Sequence, residues 1–260
     1  MGGRGSKSGI ASTPSTTSKT KENGMPGTPG NDILSKGDRK TIEKVANASR
    51  KDDTREHGAY LRKDGKESKL TKSGEDTHIN LHTENSKTNN GTIHSHPSNG
   101  GGGFSKGDIS SILKQGQSKG VVVSSRGMGK NRYVLVAKPT AKLKSEMKFA
   151  AKKAAQLDKK MMDGKLSLAQ LQSKMGKIKT NFSVARQYEA AQKKYFKKEV
   201  VKELKKQGVS AKIKNNEVVG TGKHVFIPEK AYERASAKAS IKASTKALRE
   251  NGFEVYGYTI

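Results

Sequence analysis

The sequence predicts an α+β protein, and three observations carry that reading. Between about residues 53 and 140, short apolar runs alternate in period two and are separated by turn residues. From about 141 to 208, apolar residues recur at helical spacing among many lysines. Only 31% of the 260 residues are hydrophobic and there is no Trp, which argues against one large core. The expected architecture is a mixed β-sheet with flanking helices, then a Lys-rich helical segment, then a small α/β C-terminal module.

Taken in order, residues 1 to about 35 are rich in Ser, Thr, Gly, Pro and Lys and have hardly an apolar residue. So little burial cannot offset the entropy of ordering a backbone, and a disordered tail is expected. Residues 36–52 form a short helix and linker: Ile42, Val45 and Ala46 recur on one side behind Ser35, a suitable cap. Within 53–140, HGAYLR reads as a strand, KDGK as a turn, THINLHT as an alternating strand, and NNGTIHSH as a further strand entered through an Asn-Gly turn. SKGDISSILKQGQ reads as a helix with Ile109, Ile112 and Leu113 on one side. GVVVSS and NRYVLVAKP, joined by RGMGK, read as a strand pair. Residues 141–208 divide at MDGK into two helical patterns, and a further helix runs from about Val184 to Lys206. Residues 209–260 offer strand pieces VSAKIK, EVVG and HVFIP, a helix over Glu229 to Arg249 and a last strand, FEVYGYTI.

The formal charge of +28 points to anionic partners. It is concentrated in 141–208, where 19 Lys and Arg face six Asp and Glu. With no Cys, disulfides and thiolate zinc sites are excluded, and a metal must be held by His and carboxylates. No segment approaches the roughly 20 apolar residues of a membrane span, and the start, MGGRGSKSGI, has no signal-peptide apolar run, so the expected location is cytoplasmic with no membrane partner. Met1-Gly2 with Ser6 matches a myristoylation pattern, which a Gly/Ser/Thr-rich context explains as well.

One constellation carries chemistry. In TIHSH, strand geometry sends His94 and His96 to the same face, where two imidazole nitrogens can converge on one ion. Ser105 is placed to cap the following helix, with Asp108 in its first turn. The strand end and the helix start can therefore deliver two nitrogens and one oxygen to one point. The glycine run Gly100 to Gly103 is the expected flexible connection. A hydrolytic site also needs a carboxylate base that is not a ligand. Of Glu56, Glu67, Glu75 and Glu84, Glu56 stands out because it opens EHGAYL, immediately before a strand able to flank the histidine strand.

Glu56 with Gly58, then His94-Ser95-His96-Pro97, then Ser105-Lys106-Gly107-Asp108, resemble the JAB/MPN metalloprotease signature called JAMM: a Glu, a later His-x-His, a spacer and Ser-x-x-Asp. The resemblance covers about residues 53–140, including the VVV and YVLV strands. Eight residues, Pro97 to Phe104, separate His96 from Ser105, one more than the family usually has. The resemblance implies that His94, His96 and Asp108 bind Zn2+, that Glu56 moves the proton, and that Ser105 steadies the water or the oxyanion. It also implies hydrolysis of amide bonds, either isopeptide links to ubiquitin-like proteins or other peptide links in bacteria and phages. The opening MGGRGSKSG is similar to the starts of phage and prophage structural proteins. That favours a phage or bacterial origin, in the host cytoplasm or with the virion.

Weighed beside this, His78 and His82 suit a strand better than a ligand pair, His57 and His224 are single, and GMGK and GTGK are turns rather than phosphate loops. A rival is a non-catalytic scaffold whose 141–208 helices hold nucleic acid without sequence preference, or an acidic partner. A zinc deaminase would expect Cys ligands, and a metal-dependent nuclease would show more clustered carboxylates.

Overall fold

The computed structural model describes residues 24–71, 79, 81, 87–97, 101–125, 130–223 and 226–260. Helix α1 (Lys36–Lys51) begins where the Ser35 hydroxyl accepts the Asp38 N–H and the Asp38 carboxylate accepts the Ser35 N–H, a reciprocal cap that satisfies two donors. Strands β1 (Gly58–Arg62) and β2 (Asn89–His96), helix α2 (Lys106–Lys114) and strands β3 (Lys119–Ser124) and β4 (Tyr133–Pro139) follow. Helices α3 (Ala141–Met162), α4 (Leu168–Met175) and α5 (Asn181–Lys206) come next, then the hairpin β5 (Ala211–Lys214) and β6 (Glu217–Gly220), helix α6 (Glu229–Glu250) and strand β7 (Phe253–Thr259).

The described residues form six helices and a five-stranded mixed sheet of order β1-β2-β3-β4-β7, besides a two-stranded hairpin. Only β2 and β3 are parallel, and α2 lies on the crossover that a parallel pair requires. Alternation along the strands builds two cores. Ile93, Val121, Val123, Val134 and Val136 point to the face covered by α1, against Ile42, Val45 and Ala46. Val122, Leu135, Phe253 and Val255 point to the other face, against Ile109 and Ile112 of α2, Val184 and Tyr188 of α5, and Ile241 and Leu248 of α6. By the same period of two, Thr92, His94 and His96 lie opposite Ile93, on the α2 side.

Three expectations change. The tail expected to reach residue 35 is structured from residue 24 onward: Ile33 and Leu34 are buried under the sheet, Lys119 Nζ donates to the Ile33 carbonyl at 2.8 Å, and Gly257 N–H donates to Gly27 O at 2.9 Å. Two apolar residues with backbone partners suffice there; residues 1–23 lie outside the described part. The Asn-Gly pair is not a turn, because Asn90 and Gly91 lie inside β2, with Gly91 opposite Lys119 so closely that a side chain would strike the Lys119 carbonyl. Residues 209–260 do not stand apart as a module. β7 hydrogen-bonds along all of β4, and α6 buries its apolar residues in the core shared with α2 and α5. Only the β5–β6 hairpin forms a sheet of its own. The expected THINLHT strand falls almost wholly outside the described residues.

Candidate metal centre

Each side chain of the constellation is placed by a backbone device. Antiparallel pairing sets Gly58 opposite His94, and two further bonds, Ser95 N–H to His57 O at 2.7 Å and His57 N–H to Ser95 Oγ at 2.9 Å, continue that register. Glu56 is thereby carried opposite His96, on the same face of the sheet as both histidines. Asp108 arrives from the first turn of α2. Its Oδ2 accepts the Ser105 N–H at 2.6 Å while Ser105 Oγ accepts the Asp108 N–H at 3.1 Å. The Ser-x-x-Asp spacing is therefore a capping box, and the cap aims the carboxylate at β2.

The donor atoms converge closely. His96 Nδ1 lies 2.8 Å from the Gly101 carbonyl, which only accepts, so Nδ1 carries a hydrogen and Nε2 faces inward. His94 Nε2 is 3.0 Å from His96 Nε2 and 3.3 Å from Asp108 Oδ1, and His96 Nε2 is 3.7 Å from Asp108 Oδ2. Zinc at about 2.0–2.1 Å from tetrahedral ligands sets those ligands about 3.4 Å apart. The three separations are of that order, but His94 faces Oδ1 of Asp108 and His96 faces Oδ2, so the two short approaches to Asp108 are to different oxygens. Among the described residues, the group whose ligand atoms all lie within 4.8 Å of one another is Glu56 with the two histidines, so Glu56, expected to be a base and not a ligand, is placed where it could also hold an ion. Its Oε2 accepts the Ile79 N–H at 3.1 Å, which orients the carboxylate.

Electrostatics agree. Burial penalises a charge on His94, yet the Asp108 carboxylate and its hydrogen bond, with Glu56 behind, raise the imidazole above its ordinary pKa. Burial likewise opposes ionisation of Asp108, but the two histidines outweigh it and hold the carboxyl well below the usual range. The pocket is thus tuned to keep a carboxylate and to attract positive charge.

No protein-family model, curated protein or solved structure matches this chain. The chemistry of the site therefore rests on its geometry.

That geometry includes a support which sequence reasoning missed. The glycine run, expected to be a flexible tether, is packed on α6 from Gly102 onward, while Gly101 is exposed; Gly100 lies outside the described residues. Gly102 N–H donates to Ser240 Oγ at 3.0 Å, and a Cβ on Gly103 would lie 2.5 Å from Ser244 Cβ. The Phe104 carbonyl accepts from Tyr188 Oη at 2.6 Å and from Gln192 Nε2 at 3.2 Å, and Ser244 Oγ lies 2.6 Å from Tyr188 Oη. Helices α5 and α6 thus hold the loop whose Gly101 carbonyl accepts from His96 Nδ1 and whose Ser105 caps α2. No local signal marks these partners, which lie 84 and 138 residues away.

The four central residues and Ser105 line a cleft of about 470 Å³ whose apolar wall includes Ile79, Leu81, Phe104 and Ile112. The other candidates lie elsewhere. Glu67 is engaged by Lys44 and lies 3.9 Å from Lys40. Glu75, Glu84, His78, His82 and His224 fall outside the described residues, as do Arg126 to Gly129 of RGMGK. GTGK follows β6 as a turn with Gly222 at φ +61, and α6 begins only after Pro228.

Proposed function

We propose that this protein is a zinc-dependent peptidase or isopeptidase of JAB/MPN type, acting on an amide bond in a protein or peptide substrate. One observation carries the reading: the Nε2 atoms of His94 and His96 lie 3.0 Å apart in a cleft, with the capped Asp108 carboxylate and the Glu56 carboxylate close to both rings. His94, His96 and Asp108 would hold the ion. Bound zinc supplies Lewis acidity, bringing the pKa of a water down towards about 7 and polarising a carbonyl.

The chain's own groups then divide the work. Glu56 takes the proton of the attacking water and returns it to the leaving amine, as a base held by the Ile79 N–H and near both histidines can do. Ser105 Oγ accepts the Asp108 N–H and keeps its own hydrogen to donate to the developing oxyanion. The apolar wall lodges a substrate side chain and keeps water from the reacting atoms. An extended peptide segment enters this cleft more readily than a folded surface. A phage or bacterial setting, as the N-terminal likeness suggests, favours a processing peptidase over action on ubiquitin. A scaffold without catalysis would keep the capping box but have no use for a His96 ring turned by Gly101 so that its Nε2 faces His94.

The test is zinc content measured beside hydrolysis of peptide and isopeptide substrate pools. Wild type should hold about one zinc per chain, and His94→Ala/His96→Ala none. Glu56→Gln should keep its zinc and lose about 10²–10⁴-fold in rate. Full activity in Glu56→Gln, or wild type that takes up no zinc, overturns the proposal.

A further inference from the structure

Lysine has two distinct settings in the C-terminal half. Between α5 and α6 it neutralises buried carboxylates: Lys242 and Lys206 reach Glu203 at 2.7 and 2.9 Å, and Lys246 reaches Glu199 at 2.6 Å. The α3–α4 hairpin is different. Residues 141–180 carry 11 lysines, all exposed, against three carboxylates. Among the described residues, only Lys165 and Lys179 of these reach a carboxylate, at 3.8 and 2.8 Å. The hairpin is closed by a small core of its own, Ala150, Leu157, Leu171 and Ile178, so its lysines are not needed to hold it together, and their mutual repulsion opposes the fold.

The same surface carries an aromatic ring that the fold does not use. Phe149 is 68% exposed and borders a shallow cavity of about 220 Å³ with Lys153, Lys177 and Lys179, the last paired with Glu146. An open ring among ammonium groups meets two demands at once. Phosphates are drawn to the lysines, and an unpaired base can stack on the ring. An acidic peptide would satisfy only the first.

We propose that the α3–α4 hairpin binds single-stranded nucleic acid, with Phe149 as a stacking platform and Lys153 and Lys177 as phosphate contacts. This surface is independent of the metal centre and stands whether or not the peptidase reading does.

The experiment is fluorescence anisotropy of a labelled oligothymidylate with the full chain across a salt series. Log affinity should fall linearly with log salt, with a slope of about −0.7 for each phosphate neutralised. Lys148→Glu/Lys153→Glu/Lys177→Glu should weaken binding by about a hundredfold or more and flatten that slope. Phe149→Ala should weaken it by about tenfold and leave the slope unchanged. Circular dichroism and thermal denaturation confirm that each variant is intact. Absence of binding at low salt, or charge reversal without effect, overturns the proposal. So does a neutral Phe149→Ala with polyglutamate bound as tightly as the oligonucleotide, which would assign the hairpin to an acidic protein.

Discussion

Two of the buried clusters of ionisable groups among the described residues are built on opposite plans. Between α5 and α6, Glu199 and Glu203 are each 5% exposed at the side chain, and every contact they make is with an ammonium: Lys202 and Lys246 for one, Lys206 and Lys242 for the other. Burial pushes both carboxyls up, but those lysines outweigh it and both end below the ordinary value. At the sheet, His94, His96 and Asp108 come together, and no ammonium is among their partners in the described residues. The first cluster is complete with its own charges; the second sets its carboxylate against imidazoles, with no ammonium among the described residues. Burial alone does not distinguish the two, whereas the kind of group facing the carboxylate does.

The sharpest way to break the comparison is to remove one partner from the completed cluster. Glu203→Ala leaves Lys242 buried without its carboxylate, and chemical denaturation should show a loss of about 3–5 kcal/mol. Zinc content should stay that of wild type. Asp108→Asn should act in the reverse sense. The amide oxygen can still accept at the cap, so stability should change by under about 1 kcal/mol. Zinc affinity, measured by competition with a chelator, should drop about a hundredfold or more, because a charged ligand is gone. An Asp108→Asn protein that unfolds while keeping its zinc affinity would make Asp108 a cap and nothing more.

A smaller effect probes the link between the two regions. Tyr188→Phe removes the hydroxyl that holds the Phe104 carbonyl. It should weaken zinc binding by about tenfold, as loss of supporting hydrogen bonds around a metal does, and should cost about 1 kcal/mol of stability. An unchanged zinc affinity would reduce α5 to a cover for the core.

The least change is expected from pH, and its sign separates the clusters. Glu199 and Glu203 are depressed, so their contribution is complete above the unfolded carboxylate value of about 4.3 and is lost as pH falls through the lower folded values. Asp108 behaves likewise from about 3.9 downward. His94 is raised, so in metal-free protein its contribution is complete below about 6.5 and is lost as pH rises through the higher folded value. Metal-free protein should therefore lose stability near neutrality in wild type but not in His94→Ala. Denaturation midpoints across pH 5 to 9, about the range that brackets histidine titration, would show it.

Much of the site is legible in the sequence because it depends on short-range geometry. A strand repeats every two residues, so TIHSH by itself puts both imidazoles on one face. The Ser105-x-x-Asp108 spacing by itself writes a helix cap, and the same holds for Ser35 and Asp38. The unbroken apolar runs VVV and YVLV likewise declare strands buried on both faces. The pairing of those strands is a different matter. FEVYGYTI reads as a strand, but whether it closes a local unit or extends a sheet begun nearly two hundred residues earlier is set by a partner edge on β4, which no local pattern names. GGGF reads as a tether because glycine is conformationally free, yet here glycine is required because the backbone lies against Ser240 and Ser244.

The division follows from the range of the forces. By itself the sequence determined the helices, their caps, and the face that His94 and His96 share, since these depend on backbone periods and on residues within one turn of each other. Only the tertiary structure decided that Glu56 sits across from His96, that Tyr188 and Ser244 hold the loop between the histidines and the cap, and that residues 253–259 complete the sheet. Those contacts join segments distant along the chain, and they form only because burying both faces of the sheet outweighs the entropy of bringing those segments together.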